Sequence, residues 1–168
     1  PLLQHHPVIK REALIVISGD KGLCGSFNAN VSRAAKRNIE ELNAHGTQVT
    51  IYFLGKKAYE NLKHADAEKN LDFVNIFHRF HFYQMYDLIE MLADRYMSGE
   101  IDLVTLIYND FKSAVSQEIK QEVLFPLTDE IFQSTKPNSD PLGRDILMEP
   151  STDELHSFII KRHATTLL

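Results

Sequence analysis

The 168-residue sequence has one cysteine, no concentrated block of lysine and arginine, and no long apolar run. A single cysteine excludes an internal disulfide and fits a reducing compartment. The 18 basic residues are outnumbered by 23 acidic ones, a formal charge of −5 with histidine neutral, and they are scattered along the chain. That excludes nucleic acid as the main partner, because a phosphate backbone is held by a clustered positive field. No apolar stretch approaches the roughly 20 residues that cross a bilayer as a helix. The opening PLLQHHPVIKRE also lacks the basic, apolar, small-residue order of a signal peptide.

What is present is enough apolar residue to close one core. A chain of this length buries about two-thirds of its unfolded surface on folding, which predicts a single globular domain over residues 1–168. The chain opens on Pro1 and stops inside the helical-looking KRHATTLL, which predicts an excised piece of a longer protein.

The patterning alternates. Residues 13–18, ALIVIS, form a short continuous apolar run, as in a strand covered on both faces. Val31, Ala35, Ile39 and Leu42 then recur at helical spacing until Gly46, a residue suited to a left-handed C-cap. QVTIYFL, residues 48–54, is β-branched and aromatic and predicts a second strand, with a short helix over KKAYENLKHA after Gly55. Residues 72–77 predict a weaker third strand. Met85, Leu88, Ile89, Leu92 and Tyr96 make a helix stripe closing at Gly99, and IDLVTLIY, residues 101–108, is another buried strand. Within FKSAVSQEIKQEVLFPL, polar residues interleave with Val115, Ile119, Val123 and Phe125, predicting a half-exposed last strand, a candidate antiparallel edge, halted by Pro126. Residues 128–144 predict a loop. STDE, residues 151–154, has capping-box spacing and starts a C-terminal helix over 151–168 with no C-cap before the chain ends. Strand and helix in alternation predict an α/β fold: a doubly wound, mostly parallel sheet with helices on both faces.

The stretch richest in possible chemistry is GDKGLCG, residues 19–25, between the first strand and first helix. A dinucleotide fold needs glycines at relative positions one, three and six, so that the backbone approaches the pyrophosphate and the helix packs on the strand. Counting from Gly19, those positions hold Lys21 and Cys24; counting from Gly22, they hold Cys24 and Phe27. The acid that would bond the ribose at the end of the second strand is absent, since that strand runs Phe53, Leu54, Gly55, Lys56. A P-loop fails because Gly55 and Lys56 are followed by Lys57, and Thr50 stands where the leading glycine belongs. The glycines are read as a sharp turn off the sheet.

Other candidates are weaker. Lys21 and a helix N-terminus would favour the Cys24 thiolate, but the loop has no histidine base, and the residue is read as an inert small side chain. His78 and His81 in FHRFHFYQMY have helical ligand spacing but no nearby carboxylate or cysteine before Asp87, so no metal site is predicted. Its aromatics are read as core or as a patch meeting a partner. No G-x-S-x-G elbow surrounds Ser18, Ser26 or Ser32. No catalytic, cofactor-binding or metal-ligating residue is assigned.

ISGDKGLCGSFNANV resembles the loop of the ATP synthase γ subunit family, usually S/T-D-R-G-L-C-G-G/A-F/L-N. LIYNDFKSAVSQEIKQEVLFPL resembles the family's Y-N-x-F-x-S-A-x-S-Q segment ending in L-P-L, and MEPSTDELHSFIIKRH its Y-E-P-S-P-E-E-L. The resemblance runs in order from about Ile9 to Arg162 and is weakest between Ala58 and Arg95. It departs at Lys21, where the family has arginine; at Gly19, where Ser or Thr is common; and at Ser26, where glycine or alanine is usual. Both long helices of the family are missing from these residues.

The resemblance implies a Rossmann-like globular domain of a rotor subunit with no cofactor and no bond chemistry of its own. It implies partners in the α and β subunits, the ε subunit and the c-ring, and a peripheral place on the cytoplasmic face of a bacterial inner membrane, not inserted. Proton or sodium flow would turn the c-ring, and this domain would pass the torque to the catalytic α/β ring. The loop's Asp20, Lys21, Gly22, Leu23, Cys24 and Gly25 become subunit-contact candidates, with Asp20 and Lys21 facing the β collar. The rival reading is a small Rossmann-like nucleotide-binding enzyme or module sharing only the architecture.

Overall fold

The computed structural model describes residues 2, 6–21, 26–78, 82–111 and 117–127. Among these described residues, five strands and three helices follow in the order β1 (Arg11–Ile17), α1 (Phe27–Ala44), β2 (Gln48–Leu54), α2 (Lys56–Leu62), β3 (Glu68–Asn70), α3 (Phe82–Met97), β4 (Leu103–Phe111) and β5 (Gln117–Phe125). They form one sheet in the order β3-β2-β1-β4-β5. β1 pairs in parallel with β2 and with β4, β2 with β3 likewise, and only β5 runs antiparallel, against β4.

This is the doubly wound α/β arrangement that the patterning predicts. Right-handed crossovers through α1 and α2 step the chain outward from β1, and the return through α3 to the other side of β1 places that helix on the opposite face. β1 displays the result residue by residue. Leu14 and Val16 bury against Val31, Ala35 and Ile39 of α1 and Ala58 and Leu62 of α2. Ala13, Ile15 and Ile17 bury against Leu88, Leu92 and Tyr96 of α3. A strand with no solvent face has no reason to alternate, so it reads as an unbroken apolar run. Each fully buried Leu or Ile contributes roughly 1.5–3 kcal/mol.

α1 ends as predicted. Gly46 has φ +79°; its N–H donates to Asn43 O and that of Thr47 to Leu42 O, a Schellman closure. α3 closes in the same way at Gly99, whose N–H donates to Tyr96 O while that of Glu100 donates to Arg95 O.

The third strand is a correction. Residues 72–78 form turns, and the strand at that edge is Glu68–Asn70. Asn70 and Asp72 explain part of this: Asp72 N donates to Asn70 Oδ1, and Asn70 Nδ2 to Asp72 Oδ2, local bonds that favour a turn over a ladder. The apolar residues of this stretch serve the core without forming a strand. Val74 belongs to the core on the α1 face and Ile76 to the core on the α3 face, so the chain drops one apolar side chain into each as it rounds the sheet edge. The loop expected over 128–144 and the helix expected over 151–168 lie outside the described residues.

Candidate functional site

In an open α/β sheet, ligands bind beyond the carboxyl ends of the strands, at the point where strand order reverses. Here that point lies between β1 and β4, where the chain leaves β1 through Ser18, Gly19, Asp20 and Lys21. The first turn of α2 comes up beside it with N–H groups that no helical carbonyl can accept. All of the first three are taken by this one stretch. Lys56 N donates to Asp20 Oδ1 at 3.0 Å, Lys57 N to Gly19 O at 3.1 Å, and Ala58 N to Ser18 Oγ at 2.8 Å. Ser18 N in turn donates to Leu54 O at 2.8 Å.

Such contact requires two backbones to touch, and Gly55 permits it. It has φ +104°, and a Cβ built there would stand 2.0 Å from Ser18 O, an impossible distance. The residue in the position where a dinucleotide fold carries its ribose acid is therefore pressed against the neighbouring turn. Asp20 supplies what α2 lacks: its N-cap Gly55 has no side chain and its first turn no acid, while Lys56 and Lys57 put positive charge at the positive end of the helix dipole. Glu60 shares in the neutralisation, 2.5 Å from Lys57 Nζ and 3.9 Å from Lys56 Nζ. Its carboxyl is held below its ordinary pKa chiefly by the Lys57 hydrogen bond.

The other flank of the turn is held by α1. Asn28, buried, accepts the Gly19 N–H with Oδ1 at 2.8 Å and donates through Nδ2 to Lys21 O at 3.1 Å. Ser32, one turn on, donates to Asn28 O and accepts from Asn61 of α2. A single asparagine thereby orients both ends of the turn.

Of the predicted contact residues, Asp20 is half-buried and engaged with α2, and Lys21 is exposed; Gly22, Leu23, Cys24 and Gly25 lie outside the described residues. Sequence reasoning missed Ser18, Asn28 and Gly55. One signal was available: two lysines opening a helix behind an uncapped glycine call for an acid from elsewhere in the chain. In the aromatic stretch, Phe77 packs on the α3-face core, as one of the two readings expected, while Tyr83 and Tyr86 are exposed. No group of three or more His, Cys, Asp or Glu able to hold a metal occurs among the described residues.

A cavity of about 530 Å³ opens at the other end of the sheet, beside Arg11, Glu12, Thr50, Glu68, Arg95 and Glu100. Its groups are largely paired with one another: Thr50 Oγ1 with Glu68, and Arg95 with Glu100 and with the Tyr52 hydroxyl. Glu12 is only 3% exposed. Burial pushes its carboxyl above the ordinary value, opposed by a hydrogen bond from Thr105.

Fold and turn together define a Rossmann-like domain whose second helix end is closed by its own aspartate. Residues 1–168 match the ATP synthase family, and the chain belongs to it. It is 30% identical over 171 residues to the ATP synthase gamma chain of Chlorobium phaeobacteroides, covering 99% of this chain and 56% of that one. To that of Geotalea uraniireducens it is 34% identical over 151 residues, covering 89% and 50%. The chain thus spans about half the length of the curated relatives it matches. Among solved structures, a chain from the central stalk and c-ring of Tetrahymena thermophila mitochondrial ATP synthase shares the fold, with TM-score 0.60 and 22% identity over 98% of this chain and 71% of that one. A rotor chain of Euglena gracilis mitochondrial ATP synthase does so with TM-score 0.53 and 14% identity over 95% and 60%. The family resemblance drawn from GDKGLCG is borne out, and the rival nucleotide-binding reading is not favoured.

Proposed function

We propose that residues 1–168 are the globular foot of an ATP synthase central-stalk subunit, passing torque from the c-ring to the catalytic α/β ring while doing no bond chemistry itself. The observation that carries this reading is the turn from Ser18 to Asp20, closed onto α2 in a chain that belongs to the ATP synthase family. These bonds tie the turn after β1 to the first turn of α2, so that two neighbouring crossovers of the sheet move as one body.

A torque coupler needs stiffness, and a sheet close-packed between helices on both faces has it. Partners would be the α, β and ε subunits and the c-ring, with Lys21 and the following loop residues 22–25 at the β collar. The setting would be peripheral, on the cytoplasmic face of a bacterial inner membrane. In support, the two gamma-chain relatives named above are bacterial, while the two solved structures are mitochondrial, and among the described residues no helix is long and apolar enough to cross a membrane. Calorimetry of the protein with ATP, ADP and NAD should show no micromolar binding, and the full-length subunit should restore coupled proton pumping to a complex lacking its own. Micromolar nucleotide binding, or failure of the assembled subunit to restore pumping, would overturn the reading.

A further inference from the structure

On its β4 side the segment leading into β1 is gripped by one carboxylate. Asp102, just before β4 and 5% exposed, accepts two backbone N–H groups on Oδ2, from Lys10 at 3.0 Å and Arg11 at 2.9 Å. Its Oδ1 lies 3.4 Å from Arg11 Nη2 and 3.8 Å from His6 Nδ1. Its own N–H donates to Arg11 O at 2.9 Å, and Arg11 Nη2 reaches Gly99 O at 2.6 Å. On the β2 side the same segment is bonded by Gln48 N to Lys10 O and by Thr47 Oγ1 to Ile9 O. Further out, the His6 ring stands edge-on to Tyr96 at 5.0 Å, and Leu127 N donates to Leu2 O at 2.8 Å.

We infer that Asp102 is a positioning residue that locks this lead-in to the body of the domain, so that a turning force on either reaches the other without slack; this rests on the rotor reading above. β1 is the strand that pairs with both β2 and β4, so a load delivered to it is shared at once across the sheet. Hydrogen bonds to a carboxylate are roughly twice as strong as those between neutral groups. Two of them on adjacent amides, reinforced by the Arg11 guanidinium, make a firm grip at the point where the chain joins the sheet. Loss of that grip leaves the two-faced core and the β2-side bonds in place and loosens the lead-in on its β4 side.

The test uses the full-length subunit in assembled complex in vesicles, with Asp102→Ala, Asp102→Asn and Ile39→Val, the last a core change on the α1 face away from the lead-in. Two quantities are read: hydrogen exchange at Lys10 and Arg11, and protons pumped per ATP hydrolysed. Asp102→Ala should speed exchange at both amides by roughly tenfold or more and lower the pumping ratio. Asp102→Asn, which keeps one acceptor oxygen, should fall between, and Ile39→Val should leave the ratio at the wild-type value. Unchanged exchange at Lys10 and Arg11, or faster exchange with an unchanged ratio, overturns the inference. A wild-type subunit that assembles but fails to support pumping overturns the rotor reading instead, and is recognised because it needs no variant.

Discussion

The carboxylate of Asp20 accepts the backbone N–H of Lys56 at 3.0 Å, across 36 positions of sequence. An acid first noticed in a glycine-rich turn is thereby the missing cap of a different helix. Asp20 thus has a role within the domain that Lys21, paired with it in the sequence reading as a contact at the β collar, does not share. Asp20→Ala should destabilise the domain by about 1 kcal/mol, the usual cost of a lost cap, while Asp20→Asn, retaining an acceptor oxygen, should cost less. Chemical denaturation resolves the difference.

Lys21 is exposed, and its side chain is the better probe of a partner. Lys21→Glu should shift stability by no more than about 0.5 kcal/mol, as surface changes do, yet reduce coupling or assembly in the full-length subunit. Normal coupling in this variant would remove Lys21 from the β collar.

Gly55→Ala should be among the most damaging single changes. The new methyl would meet Ser18 O at 2.0 Å with φ at +104°, so the β1 and β2 turns must part and the α2 cap is lost with them. A loss of about 3 kcal/mol or more is expected, seen as a lower Tm and as a shift in the Ala58 amide resonance.

Glu12 and Asp102 should titrate in opposite senses. Burial raises the Glu12 carboxyl in the folded state, so its contribution is fully present below the unfolded carboxyl value and lost as pH rises through the folded one. Glu12→Gln should therefore stabilise the protein at neutral pH, by on the order of 1 kcal/mol or a few degrees in Tm, and the gain should vanish in acid. A variant less stable than wild type at neutral pH would contradict this.

Burial also presses the Asp102 carboxyl upward, but the amides of Lys10 and Arg11 and the Arg11 guanidinium outweigh it and hold the group below its ordinary value. Its contribution is present above the unfolded carboxyl value and lost as pH falls through the folded one. The facing ionisable groups are Arg11 and His6, with Tyr96 behind them. Asp102→Asn should accordingly flatten the acid limb of the stability profile, measured by denaturation from neutral pH downward.

The alternation of strand and helix was written in local pattern, and so was the antiparallel last strand. The unbroken ALIVIS fits a strand covered on both faces, the stripe Leu88, Ile89, Leu92 fits one side of a helix, and polar residues interleaved through 117–125 mark an edge. The family was legible too, because GDKGLCG is an unusual string, and the failed glycine spacing already argued against a dinucleotide site. Pairings between distant segments were not legible. Nothing near Asp20 announces Lys56, nothing near Asp102 announces Lys10, and nothing in Val74 and Ile76 says that they serve opposite faces. Those relationships depend on which turns the folded sheet brings side by side, and a hydrogen bond carries no trace in sequence of the separation it spans. Local periodicity determined the layers of this protein; only tertiary packing decided that Ser18, Gly19 and Asp20 would close onto the first turn of α2.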